Sequence, residues 1–84
     1  MSKIFVTAIW DNKIYFIYRD GRDEYSVIYY KNNRSWVIGD SQANWLPNTS
    51  NMSQKIIKDC ARYIDDEGLL DKEPYKPGQV YGLR

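Results

Sequence analysis

Apolar and polar positions alternate along the first 39 residues with the two-residue period of a β-strand. They form four short runs, each separated from the next by residues that favour tight turns. The central stretch, residues 13–38, reads KIYFIYRDGRDEYSVIYYKNNRSWVI and holds three of the four runs. The pattern therefore predicts a four-stranded antiparallel meander over residues 3–39.

Each of the three connections contains a residue type that tolerates positive φ. Asp11-Asn12 suits a two-residue turn in which both residues have positive φ, and Gly21 suits the first central position of a type II′ turn. Asn32-Asn33 closes the third hairpin, because Asn enters the left-handed region more readily than most residues. The register that follows pairs Trp10 with Lys13, Val6 with Ile17, Thr7 with Phe16, Phe5 with Tyr18, Arg19 with Glu24, and Tyr29 with Trp36.

This register sorts the side chains onto two faces of the sheet. The first predicted face is almost wholly apolar and is expected to be core; it carries Phe5, Thr7, Ile9, Ile14, Phe16, Tyr18, Tyr25, Val27, Tyr29, Trp36 and Ile38. The second predicted face is mixed and carries Ile4, Val6, Ala8, Trp10, Lys13, Tyr15, Ile17, Arg19, Glu24, Ser26, Ile28, Tyr30, Ser35 and Val37. A sheet that is covered on one side usually shows a cleaner alternation.

The spacing of apolar and polar residues in the second half of the chain predicts one helix and an extended tail. Residues 40–51 form a polar loop with Trp45-Leu46 as an anchor, and residues 52–67 carry an apolar stripe at helical spacing. Asn51 is the expected N-cap, with Gln54 in the capping-box position, and Gly68 is the expected stop. Residues 68–84 show no periodicity. The fold class is therefore α+β, with residues 1–84 as a single domain whose one helix packs on one sheet face.

Charge and composition narrow the classes of function. The chain carries 12 Lys and Arg against 11 Asp and Glu, a net charge of +1, which is low for a dedicated nucleic-acid binder. A single cysteine excludes an internal disulfide, so we expect a cytoplasmic protein. The first ten residues are too short and too polar for a signal peptide or a membrane span, and no membrane association is expected.

The residues that most often carry catalysis are missing. There is no histidine, and one cysteine cannot build a zinc site. Cys60 falls on the apolar stripe of the helix and is expected to be buried and inert. We therefore predict no enzyme activity, no cofactor and no metal.

An acidic cluster ends the predicted helix. Asp65, Asp66 and Glu67 lie where the helix dipole favours cations, so their position opposes stability. Their spacing matches no calcium-binding loop. A solvated helix end is the simpler interpretation, and a recognition patch for a basic partner is the second.

The apolar part of the second predicted face allows two interpretations. The tail, through Tyr75, Val80 and Tyr81, folds over it, or another protein docks there, since Tyr and Trp are favoured at the centres of interfaces. On the second interpretation the chain is a non-enzymatic protein-binding module, with a second copy as one candidate partner. Its small size suggests an inhibitor from a phage or mobile element that occludes a host complex. The residues expected to contact the partner are Trp10, Tyr15, Arg19, Ile28, Tyr30, Asp65, Asp66 and Glu67.

Nucleic-acid binding is the alternative function. Exposed aromatic side chains on a sheet can stack unpaired bases, and basic side chains can contact phosphates. The residues that would do so are Arg19, Arg22, Lys31, Arg34 and Trp36. Acidic residues in the same turns, among them Asp20 and Asp23, cancel much of the positive field.

Overall fold

Five antiparallel strands lie in sequence order in one sheet, and the helix packs across one of its faces. The structure is a computed structural model and describes residues 2–72. Its elements are β1 (Ser2–Trp10), β2 (Lys13–Asp20), β3 (Asp23–Tyr30), β4 (Ser35–Gly39), β5 (Trp45–Leu46), the helix α1 (Asn51–Glu67) and a short 3-10 helix (Leu69–Asp71).

The prediction of an α+β fold with an antiparallel sheet is confirmed, but the prediction of four strands is wrong. Trp45 and Leu46, expected to be an anchor in a loop, form β5 and pair with Gly39 and Ile38 at the end of β4. The predicted extended tail covers residues 68–84. Its first part contains the short 3-10 helix, and residues 73–84 lie outside the described part of the chain.

Two of the three predicted turns are confirmed, and the third differs. Asp11 and Asn12 have φ of 57° and 60°, and Gly21 has φ of 64°. The third connection is a four-residue loop, 31–34, in which Arg34 rather than an Asn takes the positive φ of 57°. Because the loop gains one residue on each side of the predicted two-residue turn, the predicted register of β3 and β4 is unchanged.

A β-bulge in β1 overturns part of the predicted register. The pairing shifts between Val6 and Ala8, so that Val6 pairs with Phe16 and Phe5 pairs with Ile17. The predicted pairs of Val6 with Ile17, Thr7 with Phe16 and Phe5 with Tyr18 are therefore wrong. Thr7 is the extra residue of the bulge. Between Thr7 and Ser2, the side chains predicted to point away from the helix therefore face it, and those predicted to face it point away. Ile4 and Val6 consequently pack against the core, while Phe5 is 43% exposed.

One face of the sheet is thus packed against α1, and the other is not. The core face, which α1 covers, carries Ile4, Val6, Ile9, Ile14, Phe16, Tyr18, Tyr25, Val27, Tyr29, Trp36, Ile38 and Leu46. The outer face carries Lys3, Phe5, Ala8, Trp10, Lys13, Tyr15, Ile17, Arg19, Glu24, Ser26, Ile28, Tyr30, Ser35, Val37 and Trp45.

The helix begins one residue earlier than predicted and has a different cap. Ser50 is the N-cap, and its side chain accepts a hydrogen bond from the Ser53 backbone N–H at 3.1 Å, so the prediction of Asn51 is wrong. The helix ends at Gly68 in the left-handed conformation, as predicted. Its buried stripe contains Ile56, Cys60 and Ile64, which join the sheet in the core.

A buried tyrosine ties the sheet to the helix through a polar contact. Tyr18 is fully buried, and its hydroxyl donates a hydrogen bond of 2.6 Å to Asp59 Oδ2 on α1. Ser2 Oγ lies 2.9 Å from the same hydroxyl, which brings the start of β1 into the contact. Burial, and after it the Asp59 carboxylate, raises the pKa of Tyr18. The hydrogen bond therefore fixes where α1 lies along β2.

We expect Tyr18→Phe to lower the free energy of unfolding by about 1–3 kcal/mol, because Asp59 then loses its donor in a half-buried position. Urea unfolding measures the loss. Tyr25→Phe is the matched control, since the Tyr25 hydroxyl makes no hydrogen bond to another residue of 2–72, and it should change stability by less than about 0.5 kcal/mol. Equal losses in the two variants would show that the Tyr18 hydroxyl contributes nothing specific.

Candidate docking surface

Four rows of side chains cross the outer face from strand to strand, and the hydrogen-bonded register sets their order. The rows are Trp10, Lys13, Tyr30 and Ser35; Ala8, Tyr15, Ile28 and Val37; Phe5, Ile17, Ser26 and Gly39; and Lys3, Arg19 and Glu24. The two middle rows are largely apolar, and charged groups lie in the two outer ones. The surface therefore has an apolar centre between two charged ends.

The apolar centre is not covered by α1, which packs on the opposite face of the sheet. Tyr15, Ile17, Ile28 and Val37 are half-buried, whereas Ala8 is fully buried. Large apolar rings extend the patch at its margins, with Phe5 43%, Trp10 40% and Trp45 69% exposed. The prediction that Tyr75, Val80 and Tyr81 cover part of this surface falls outside the described residues.

One end of the outer face is organised by Arg19. Its Nε donates a hydrogen bond of 2.8 Å to Glu24 Oε1, which confirms the predicted cross-strand pair. Its guanidinium also lies over the Phe5 ring, 5.2 Å from the ring centroid. Both partners of the ion pair are about half exposed, so the pair adds little to stability. Its two charges remain accessible to another molecule.

The opposite end is organised by Lys13. Its Nζ lies 2.9 Å from Asp11 Oδ2 and 5.5 Å from the centroid of the Tyr30 ring. The hydrogen bond to Asp11 raises the pKa of Lys13. A cation over an aromatic ring at each end gives the surface flat, polarisable contact area next to charge.

The predicted partner-contacting residues fall into two groups. Trp10, Tyr15, Arg19, Ile28 and Tyr30 all lie on the outer face. The acidic residues at 65–67 are exposed at the end of α1, in the layer behind the core face. One flat partner surface cannot contact both groups at once.

The residues of the nucleic-acid alternative do not form one patch. Arg19 and Arg22 lie at one end of the sheet, while Lys31 and Arg34 lie in the loop at the other, about 25 Å away along β3. Trp36 belongs to the core face, where its ring centroid is 4.6 Å from that of Tyr29. A continuous basic track with stacking platforms is therefore not formed by these five residues.

The described residues hold neither a metal-binding cluster nor an exposed thiol. Residues 2–72 hold no group of three or more Cys, Asp or Glu side chains placed to bind a metal ion. Cys60 is fully buried, and burial raises its thiol pKa from 9.0 to about 12, so the nucleophilic thiolate is suppressed.

A pocket of about 480 Å³ lies where the start of β3, residues 40–42 and the start of α1 meet. Asp23, Glu24 and Asp40 are among its lining residues. The Asp40 carboxylate accepts hydrogen bonds of 2.9 Å from the backbone N–H groups of Asn44 and Gln42; the bond from Asn44 is the main cause of its lowered pKa, and the bond from Gln42 adds to it. This carboxylate therefore holds the β4–β5 loop in shape.

Sequence reasoning missed two aromatic residues of the outer face. The predicted register places Phe5 in the core because it contains no bulge, and the sequence pattern predicts a loop at Trp45. The signal for the bulge was the change in spacing from Ile4 and Val6 to Ile9, which no unbroken strand can place on one face. Trp45 lies beside Gly39, whose missing side chain leaves room for the indole ring, since an added Cβ would be 3.4 Å from it.

No family model, curated protein or solved structure matches this chain. Within residues 2–72, no helix has the length and apolar content needed to cross a membrane.

A thiol introduced at Ser26 should report whether the outer face is open. Ser26 is an exposed residue in the centre of this face, and the buried native thiol gives no competing reaction. At low micromolar protein, we expect Ser26→Cys to react with a maleimide within about threefold of the rate for Ser41→Cys, an exposed loop control. Protection of the Ser26→Cys thiol to the level of Cys60 would mean that the chain covers this face itself.

Proposed function

We propose that this chain is a non-enzymatic protein-binding module that docks through the outer face of its sheet. The observation that carries the proposal is the apolar centre formed by Tyr15, Ile17, Ile28 and Val37 on the face opposite the helix. Monomeric proteins seldom leave a contiguous apolar patch of this kind without a use for it. The surface is therefore best explained as one half of an interface.

The composition of the surface supports a protein partner. Interfaces are enriched in Tyr, Trp, Phe and Arg, with apolar residues at the centre and polar groups at the rim. The outer face has this arrangement, with Tyr15 and Ile28 at its centre and Arg19 and Lys13 at its ends. Its projected area, from four strands of five to nine residues, is about 500 Å². This is at the lower end of what specific interfaces use.

The rigidity of the surface also supports docking. The central contact residues lie on β2 and β3, which pair over their full length from Lys13 and Tyr30 to Asp20 and Asp23. Side chains held on paired strands lose little backbone freedom when a partner binds. A preorganised, nearly flat face suits a domain that acts by covering part of another protein.

The wider proposal is that the chain occludes a host complex, as an inhibitor carried by a phage or mobile element would. It is supported by small size, by the lack of histidine in the sequence and by the suppressed thiol of Cys60. A domain of this kind would act by occupying a surface. The nucleic-acid alternative ranks second, because its five residues are divided between two ends and two faces of the sheet.

Replacing Tyr15 and Ile28 by Thr should abolish protein binding and leave the fold intact, because Thr keeps strand propensity while removing the apolar centre. The full chain is immobilised and exposed to a lysate of its source organism, and bound proteins are identified by mass spectrometry. Leu70→Thr is the matched control, since Leu70 is a 50% exposed apolar residue away from the outer face. We expect a specific protein, either a host component or a further copy of this chain, to be retained by wild type and Leu70→Thr and lost from Tyr15→Thr/Ile28→Thr. Equal retention of that protein by all three chains would refute the proposal. Binding of the chain to single-stranded DNA that is lost on replacing Arg19 and Arg34 would also refute it.

A further inference from the structure

We propose that the protein seated on the outer face is a second copy of this chain, packed face to face about a twofold axis. This inference rests on the proposed function, because it names the partner of the same surface. The observation behind it is the order of side chains along the seam between β2 and β3. Reading along that seam, the paired residues are Lys13 with Tyr30, Tyr15 with Ile28, Ile17 with Ser26, and Arg19 with Glu24.

A twofold axis that runs along this seam, parallel to the strands, exchanges the two strands between copies. Each β2 residue then lies over the β3 residue of the same row in the second copy. Arg19 of each copy meets Glu24 of the other, and Lys13 meets the Tyr30 ring. The surface is thus complementary to itself in charge at the Arg19 end, and at the Lys13 end a cation meets an aromatic ring.

The centre of the seam is complementary in shape. Tyr15 lies over Ile28 of the second copy, which joins an aromatic ring to an aliphatic side chain. Ile17 lies over Ser26 of the second copy, so a large residue meets a small one, and the two central rows can interdigitate. Two aligned sheets with such inner faces form the core of a β-sandwich, a packing that proteins use widely.

The charge balance allows two copies to approach. The chain has a net charge of +1, so long-range repulsion between copies is small. On the outer face the two ion pairs, Arg19 with Glu24 and Lys13 with Asp11, are already neutral as units. The projected area of about 500 Å² per copy is modest, and we expect a dissociation constant in the micromolar range.

Dimerisation through this face would leave the helix layer of each copy outside. The acidic residues at 65–67 of each copy would then point away from the dimer on two opposite sides. The two groups of predicted contact residues would accordingly have different partners, one within the dimer and one beyond it.

Charge exchange across the seam tests the dimer. Sedimentation equilibrium of the full chain from about 1 µM to about 1 mM should show a reversible monomer–dimer equilibrium. Arg19→Glu alone or Glu24→Arg alone should weaken dimerisation at least about tenfold, because two like-charge contacts replace two ion pairs. The double exchange Arg19→Glu/Glu24→Arg should restore it. Lys58→Glu, a reversal on the exposed side of α1, is the control and should leave the equilibrium unchanged.

The thiol introduced by Ser26→Cys separates failure of the dimer from failure of the proposed function. If the Ser26→Cys chain dimerises as wild type does and its thiol loses maleimide reactivity as the dimer forms, the result supports both the dimer and the docking surface. A chain that stays monomeric to 1 mM while this thiol remains reactive overturns the dimer and leaves the face open for a different protein. A dimer in which the thiol stays reactive overturns this interface. A monomer in which the thiol is unreactive overturns the dimer and the docking surface together.

Discussion

A sheet with two apolar faces and one helix to cover them is the constraint on which the rest of the structure depends. The stripe of α1 containing Ile56, Cys60 and Ile64 buries the core face, where Phe16, Tyr18 and Val27 lie. Burial of such side chains contributes about 1.5–3 kcal/mol each, which makes this face the main source of stability. The outer face then remains as a second, partly exposed apolar surface with charged ends, and it is the surface to which we assign the proposed docking role.

Polar contacts determine how the helix is seated on that core. The Tyr18 hydroxyl donates to Asp59, and Lys55 Nζ lies 3.1 Å from Asp20 Oδ2 at the end of β2. The Tyr18 hydroxyl is buried, so leaving it and Asp59 without a hydrogen bond would lower stability. The ion pair between Lys55 and Asp20 is more exposed and contributes little. The acidic side chains in the last turn of α1 interact unfavourably with the negative end of the helix dipole. The helix nevertheless extends through them and ends at Gly68.

Much of the fold could be predicted from local patterns, and the departures have physical causes. The register of β2, β3 and β4 follows from turn residues and alternation, because a one-residue slip would reverse both faces at once. The bulge at Thr7 could not be derived from turn chemistry, since it changes the face of β1 partway along the strand. β5 is only two residues long and gives no periodic signal. Of the candidate surface, Trp10, Tyr15, Arg19, Ile28 and Tyr30 were placed on one face by the register alone, while Phe5 and Trp45 required the bulge and β5.

The same substitution on the two faces of the sheet tests the central claim most directly. Ile38 and Ile28 lie on neighbouring strands, the first in the core face and the second in the outer face. Urea unfolding at low micromolar protein should show that Ile38→Thr costs about 2–4 kcal/mol, through a lost methyl group and a buried hydroxyl. Ile28→Thr should cost about 1 kcal/mol or less. Equal and large losses would contradict the account, because they would mean that the outer face is a second core of the folded chain.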